Sequence, residues 1–103
     1  MFRRRDLLKE IESFRQRGGR TAVVSDYPVT EKLAGLGAAH LFDAYVANGE
    51  AGGPGRLKPW PDGYLLAAKK LGVEAADCLV LGDRVDADGL AAQRAGMSFR
   101  LIQ

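Results

Sequence analysis

The stretch LVLGDRVDADGL, residues 79–90, follows an apolar run and a glycine with three carboxylates, Asp83, Asp86 and Asp88, inside six positions. Like charges held this close raise one another's pKa. The arrangement therefore calls for a cation, an acid–base task or a helix terminus. Two other apolar runs lead into polar groups. Ser25 and Asp26 close the first, and Lys58 lies in the glycine-rich GEAGGPGRLKP that follows the second. A hydroxyl, an ammonium and carboxylates brought together suit a phosphoryl group with its metal. Ser25 and Lys58 would hold phosphate oxygens, and the carboxylates would hold Mg2+, a hard cation that takes oxygen ligands.

Spacing tests two rival uses of the aspartates. An EF-hand calcium loop needs D-x-D-x-D-G with a glutamate at the twelfth position. Setting Asp86, Asp88 and Gly89 in register puts Arg84 first and Ala95 twelfth, which excludes the loop. Capping of the following helix accounts for Asp86 or Asp88, but it leaves Asp83 without a role.

In open α/β sheets, ligands gather outside the carboxyl ends of the strands, so strands must deliver these groups. Residues 5–17 carry Leu7, Leu8, Ile11 and Phe14 at helical spacing and stop at Gly18-Gly19. TAVVS, 21–25, is β-branched and too short for a helix. After Pro28, a helix is expected over 30–36 with Thr30 as its N-cap. AYVAN, 44–48, reads as a second strand, and the glycines and prolines of 49–59 read as a loop. Pro61 and Asp62 open a helix that runs to Leu71 and ends at Gly72. CLVLG, 78–82, is a continuous apolar run of the kind buried on both faces. A helix over 87–95 stops at Gly96, and SFRLI forms the last strand. Strands alternating with helices predict an α/β fold with a mainly parallel sheet.

The chain's 103 residues suit one domain, 1–103, and its 47% hydrophobic and 27% charged content exclude disorder. The single cysteine, Cys78, cannot form an internal disulfide, which points to a reducing, cytoplasmic setting. No apolar run is long enough to cross a bilayer, so no membrane partner is expected. Residues 1–20 hold seven Lys/Arg against three Asp/Glu, and the remainder hold eight against ten. The basic end lacks interleaved aromatics and reads as a solvated helix face, so no nucleic acid partner is expected. RRDLLK has the paired arginines of an export signal, but EIESFRQRGGR supplies no apolar segment after them, which argues against export.

Three stretches in order resemble the haloacid dehalogenase-like (HAD) hydrolases, a superfamily of Mg2+-dependent aspartyl phosphatases. VVSDYP is similar to their second motif, an apolar strand ending in Ser or Thr. LKPWPDGYLLAAKKLGV is similar to the third, a Lys-Pro ahead of a helix. CLVLGDRVDADGLAAQRAGM is similar to the fourth, GD-x4-D followed by a helix and an A-G turn. Order and spacing agree over residues 21–103. The resemblance implies a Rossmann-like three-layer core. By position it implies that Ser25 binds the transferring phosphoryl group, with Asp26 beside it, and that Lys58 neutralises that group and the nucleophile. Asp83 would ligate Mg2+, and Asp88 would support the metal by orienting its water. Asp86 falls at a variable position and reads as a helix-start residue; Arg84 reads as structural.

The family's first motif, D-x-D-x-[TV] after an apolar strand, carries the nucleophilic Asp and an acid–base Asp, and it is absent. Asp6 follows three arginines in a helical pattern, and Asp86-Ala87-Asp88 has no strand immediately before it. Without the nucleophile the chain has no covalent step of its own. The expectation is a HAD-like core truncated at its N-terminus. It would retain the phosphate and Mg2+ half-site of a phosphatase for a small phosphorylated metabolite. The interval from Ser25 to Lys58 is too short to hold a large cap domain. The rival expectation is a non-catalytic fragment or pseudo-enzyme acting as a binding or assembly module; dehalogenase or phosphomutase chemistry is a third. The resemblance puts the missing strand mid-sheet, beside 21–25 and 78–82. Either these two then pair directly, or a homodimer or swapped copy fills the gap.

Overall fold

Leu7, Leu8 and Ile11 recur at helical spacing, and in the computed structural model they form one half-buried face of α1, Arg4–Gln16. The structure describes residues 4–26, 39–49 and 53–102; the helix expected over 30–36 lies outside them. The order continues with β1 (Ala22–Ser25), β2 (Ala44–Ala47), α2 (Asp62–Leu71), β3 (Leu79–Gly82), α3 (Leu90–Ala95) and β4 (Ser98–Leu101). Single 3-10 turns cover Ala39–Leu41 and Ala75–Asp77. Both α2 and α3 end on glycines in the left-handed conformation, Gly72 and Gly96.

The strands are parallel, as expected, but they form two separate pairs. β1 runs beside β2, with Ala22 opposite Ala44 and Ser25 opposite Ala47. β3 runs beside β4, with Leu79 opposite Ser98 and Gly82 opposite Leu101. Direct pairing of 21–25 with 78–82 is not found: β1 and β3 share no ladder among the described residues. Nor is 78–82 buried on both faces. Leu79 is 55% exposed and only Gly82 is buried; successive side chains point to opposite faces, and Val80, on one face, packs against the core cluster, whereas Leu79 is not among the residues packed there.

The halves are joined by side-chain packing. Tyr64 and Ala68 of α2 meet Ala91, Ala92 and Ala95 of α3 together with Met97, and Val24, Val80 and Phe99 pack against this cluster. Alanines on the facing surfaces let the helices approach closely while touching strands of both pairs. On α1, Glu10 pairs with Arg100 of β4 at 2.7 Å. Arg15 bonds Thr21 Oγ1 and, at 2.7 Å, Asp43 Oδ2, while the Thr21 hydroxyl donates to the Leu41 carbonyl.

Asp43 is a junction among these contacts. The Thr21 N–H donates to it at 2.9 Å, and this bond, followed by the Arg15 guanidinium, holds its carboxyl below the ordinary range. A depressed folded-state pKa contributes stability that is present above about pH 4 and lost as pH falls through the folded value. Because Asp43 is 39% exposed, screening keeps the term below about 1 kcal/mol. Asp43→Asn is expected to lower stability modestly at pH 7 and to flatten its loss between about pH 4 and pH 2, read from urea unfolding across that window.

Candidate active site

Three of the polar groups singled out in the sequence lie at or just beyond a strand's carboxyl end. Ser25 closes β1 and Asp26 follows it, while Asp83 follows β3. Lys58 lies in the loop between β2 and α2, and its bond to Pro59 is cis. Asp88 enters from the turn before α3. Asp26 Oδ1 accepts the Lys58 backbone N–H at 3.0 Å, and Lys58 Nζ donates to Asp88 Oδ1 at 2.7 Å. The structure thus draws Ser25-Asp26, Lys58 and Asp88 into one cluster. Asp83 stands at the same strand end, exposed, and forms no ion pair among the described residues.

Asp88 is the buried charge of the site, 6% exposed. The sequence predicts a plain helix over 87–95. Instead Val85–Gly89 winds as a wider π-turn, in which the Asp88 and Gly89 N–H groups both donate to the Arg84 carbonyl. Such turns often mark functional positions, and this one tucks Asp88 against the end of β3. A Cβ built on Gly82 would lie 2.5 Å from Asp88 Cβ, so only glycine admits the contact. Tyr64, buried on α2, donates its hydroxyl to Asp88 Oδ1 at 3.1 Å, and the Arg84 N–H reaches Oδ2 at 3.3 Å. Burial pushes the Asp88 carboxyl up, but the Lys58 bond and charge, with Tyr64 and Arg84, outweigh it and hold the carboxyl below its ordinary value. Burial first, then the Asp88 charge, push the Tyr64 phenol up, so it stays a donor.

Sequence reasoning passed over two residues. Tyr64 occupies a position that reads as part of the apolar face of α2. Asn48 is a polar residue closing the run AYVAN; it is fully buried and donates Nδ2–H to Asp26 Oδ1 at 3.0 Å. Arg84 pairs with Asp86 at 3.1 Å on the surface, in keeping with a structural part for Arg84 and a helix-start place for Asp86. Both Asp88 oxygens are engaged by protein donors, and no three His, Cys, Asp or Glu side chains converge as a metal cage among the described residues. No helix among them is long and apolar enough to cross a membrane.

Comparison with known proteins gives the family. A family model for haloacid dehalogenase-like hydrolases matches residues 4–96, and the chain belongs to that family. It is 37% identical over 95 residues to a glyceraldehyde 3-phosphate phosphatase of Methanopyrus kandleri, covering 89% of this chain and 40% of the relative. A HAD phosphatase of Thermococcus onnurineus superposes with a TM-score of 0.82 at 26% identity, over 92% of this chain and 44% of that one. A HAD family hydrolase of Deinococcus radiodurans, solved with bound phosphate and sodium, gives 0.78 at 29% identity, over 89% and 41%. The α/β fold with parallel strands is therefore that of the family, and the chain spans about two-fifths of the length of these relatives.

Gly82→Ala tests the packing around Asp88. Overpacking is expected to cost about 1–3 kcal/mol and to shift the Asp88 and Tyr64 resonances. Tyr64→Phe, which removes one hydrogen bond, is expected to cost about 1 kcal/mol; thermal unfolding with NMR spectra of both variants reads these outcomes.

Proposed function

We propose that this chain supplies the phosphate- and Mg2+-binding half of a HAD-type phosphatase that acts on small phosphorylated metabolites in the cytoplasm. The observation that carries the reading is the convergence of Ser25-Asp26, Lys58 and Asp88 at the ends of strands from both pairs. An ammonium has three donors. One Lys58 donor is held by Asp88, which aims the remaining two at a phosphoryl oxygen beside the Ser25 hydroxyl. Similarity to relatives named as phosphatases and to a hydrolase holding phosphate supports the same class.

The donor chemistry fits Mg2+, which is bound through one or two carboxylates plus waters and substrate phosphate. Asp83 offers the open carboxylate. Asp88, its oxygens already engaged, would support the ion by ordering water. When bound, Mg2+ offsets negative charge on the phosphoryl oxygens. Ser25, Asp26 and Lys58 orient the group, and the aspartyl nucleophile comes from outside these 103 residues. The edges of β1 and β3 that carry no ladder among the described residues favour a companion reading, in which a strand from a second copy, or one swapped between copies, completes the sheet.

Inorganic phosphate with Mg2+ is expected to shift the amide resonances of Ser25, Lys58 and Asp83. Asp83→Asn is expected to weaken the Mg2+ dependence at least tenfold, and a chain that binds neither ion overturns the half-site. A panel of phosphate esters with Mg2+ then separates two outcomes. Turnover abolished by Asp83→Asn means the assembled protein provides a nucleophile, whereas silence with binding retained means a non-catalytic binding module. Light scattering on the purified chain is expected to give a dimer or larger; a monomer sinks the completed-sheet reading.

A further inference from the structure

We infer that Asn48 is a positioning residue that fixes Lys58 through Asp26. Asn48 follows β2 and has no exposed surface. Its Nδ2–H donates to Asp26 Oδ1 at 3.0 Å, the same oxygen that accepts the Lys58 N–H at 3.0 Å. Its main chain ties the same parts together: Asn48 N–H donates to the Ser25 carbonyl at 2.7 Å, and Gly55 N–H donates to the Asn48 carbonyl at 3.1 Å. One residue thus contacts the end of β1, the loop leading to Lys58 and the carboxylate that holds the Lys58 backbone.

The other end of the amide shows what the side chain is for. Asn48 Oδ1 is buried and has no donor among the described residues. It presses on Gly63, where an added Cβ would lie 2.1 Å from Oδ1 and 2.9 Å from Val24 Cγ1. A buried amide oxygen without a donor destabilises the fold. An apolar side chain beside Val24 would avoid that cost, so packing alone does not account for asparagine here. What asparagine adds is the bond to Asp26. With two N–H groups on one oxygen, the Asp26 carboxylate is locked in orientation. The Lys58 backbone it holds then starts from a fixed point, with the ammonium reaching Asp88. Asn48 touches no reacting group and acts through Asp26. The importance of Lys58 rests on the phosphate-binding reading above, whereas the mechanical link from Asn48 to Lys58 does not.

Hydrogen exchange followed by NMR tests the link on the whole chain, in wild type, Asn48→Ala, Asp26→Ala and the double variant. Asn48→Ala is expected to speed exchange of the Lys58 amide at least tenfold. The Ser98 and Ile102 amides, bonded to Cys78 and Gly82 carbonyls in the other strand pair, should be unchanged. It should also weaken inorganic phosphate binding with Mg2+ at least fivefold. In the Asp26→Ala background the Asn48 change should add nothing at Lys58, since both act through one bond. An unchanged Lys58 amide in Asn48→Ala, or additive effects in the double variant, overturns the inference. Should Asn48→Ala not fold, the wild-type Asn48 side-chain amide protons decide: slow exchange supports the bond to Asp26, and exchange as fast as at exposed Gln93 overturns it. A wild type that binds no phosphate sinks the proposed function, and the exchange data still decide the role of Asn48.

Discussion

The 2.7 Å contact between Lys58 Nζ and Asp88 Oδ1 joins two strand pairs that share no backbone ladder among the described residues. Lys58 belongs to the loop that leaves the β1–β2 pair, and Asp88 to the turn that leaves β3. Both side chains are largely withdrawn from water, 16% and 9% exposed. Removing a carboxylate from water is expensive unless a partner and further hydrogen bonds replace the solvent. Asp88 therefore requires Lys58 as much as Lys58 requires Asp88. The supporting parts follow from that need: the Tyr64 hydroxyl, the Arg84 N–H and the bare Cα of Gly82 that gives the carboxylate room.

The apolar half of the connection is less complete. A parallel strand covered on both faces reads as an unbroken apolar run, and both AVV in β1 and LVL in β3 have that character. Yet every residue of β1 is only part-buried, and Leu79 and Leu101 remain 55% and 41% exposed. The helices supply mostly alanines where they meet, with Tyr64 and Met97 as the bulkier members of the core. These strands carry more apolar surface than their described neighbours cover. An open edge beside such a strand is a template for pairing with another chain, so the pressure to add a strand is hydrophobic as well as hydrogen-bonded.

Much of this was legible in the sequence because it rests on local signals. Helical spacing and short apolar runs gave the kind of the three described helices and four strands, and the caps at Gly72 and Gly96 set the ends of α2 and α3. The order of Ser25, Lys58 and Asp88 along strand–loop–helix units placed them at one end of the sheet, and the contacts agree. What stayed hidden depends on register and turn geometry. Of the two ways offered for closing the gap, direct pairing of 21–25 with 78–82 is not found among the described residues, where each strand pairs on one edge with a different partner. Nothing in the sequence singles out Tyr64, since a phenol on a buried helix face declares its donor role only when its acceptor is known. Asn48 was the end of a strand until the bond to Asp26 appeared. The π-turn at Val85–Gly89 has no signature in VDADG; it follows from tertiary contacts of Asp88.

Burial also divides tasks among aspartates that spacing alone makes look alike. Asp83 stands exposed just past β3 and forms no ion pair among the described residues. Asp86 pairs with Arg84 across the surface and is three-quarters exposed. Asp88 is charged although buried, because Lys58 compensates it within hydrogen-bonding distance. The three aspartates of one short stretch thus differ by their surroundings: Asp83 lies in solvent, Asp86 on a surface arginine, and Asp88 on a part-buried lysine and a phenol.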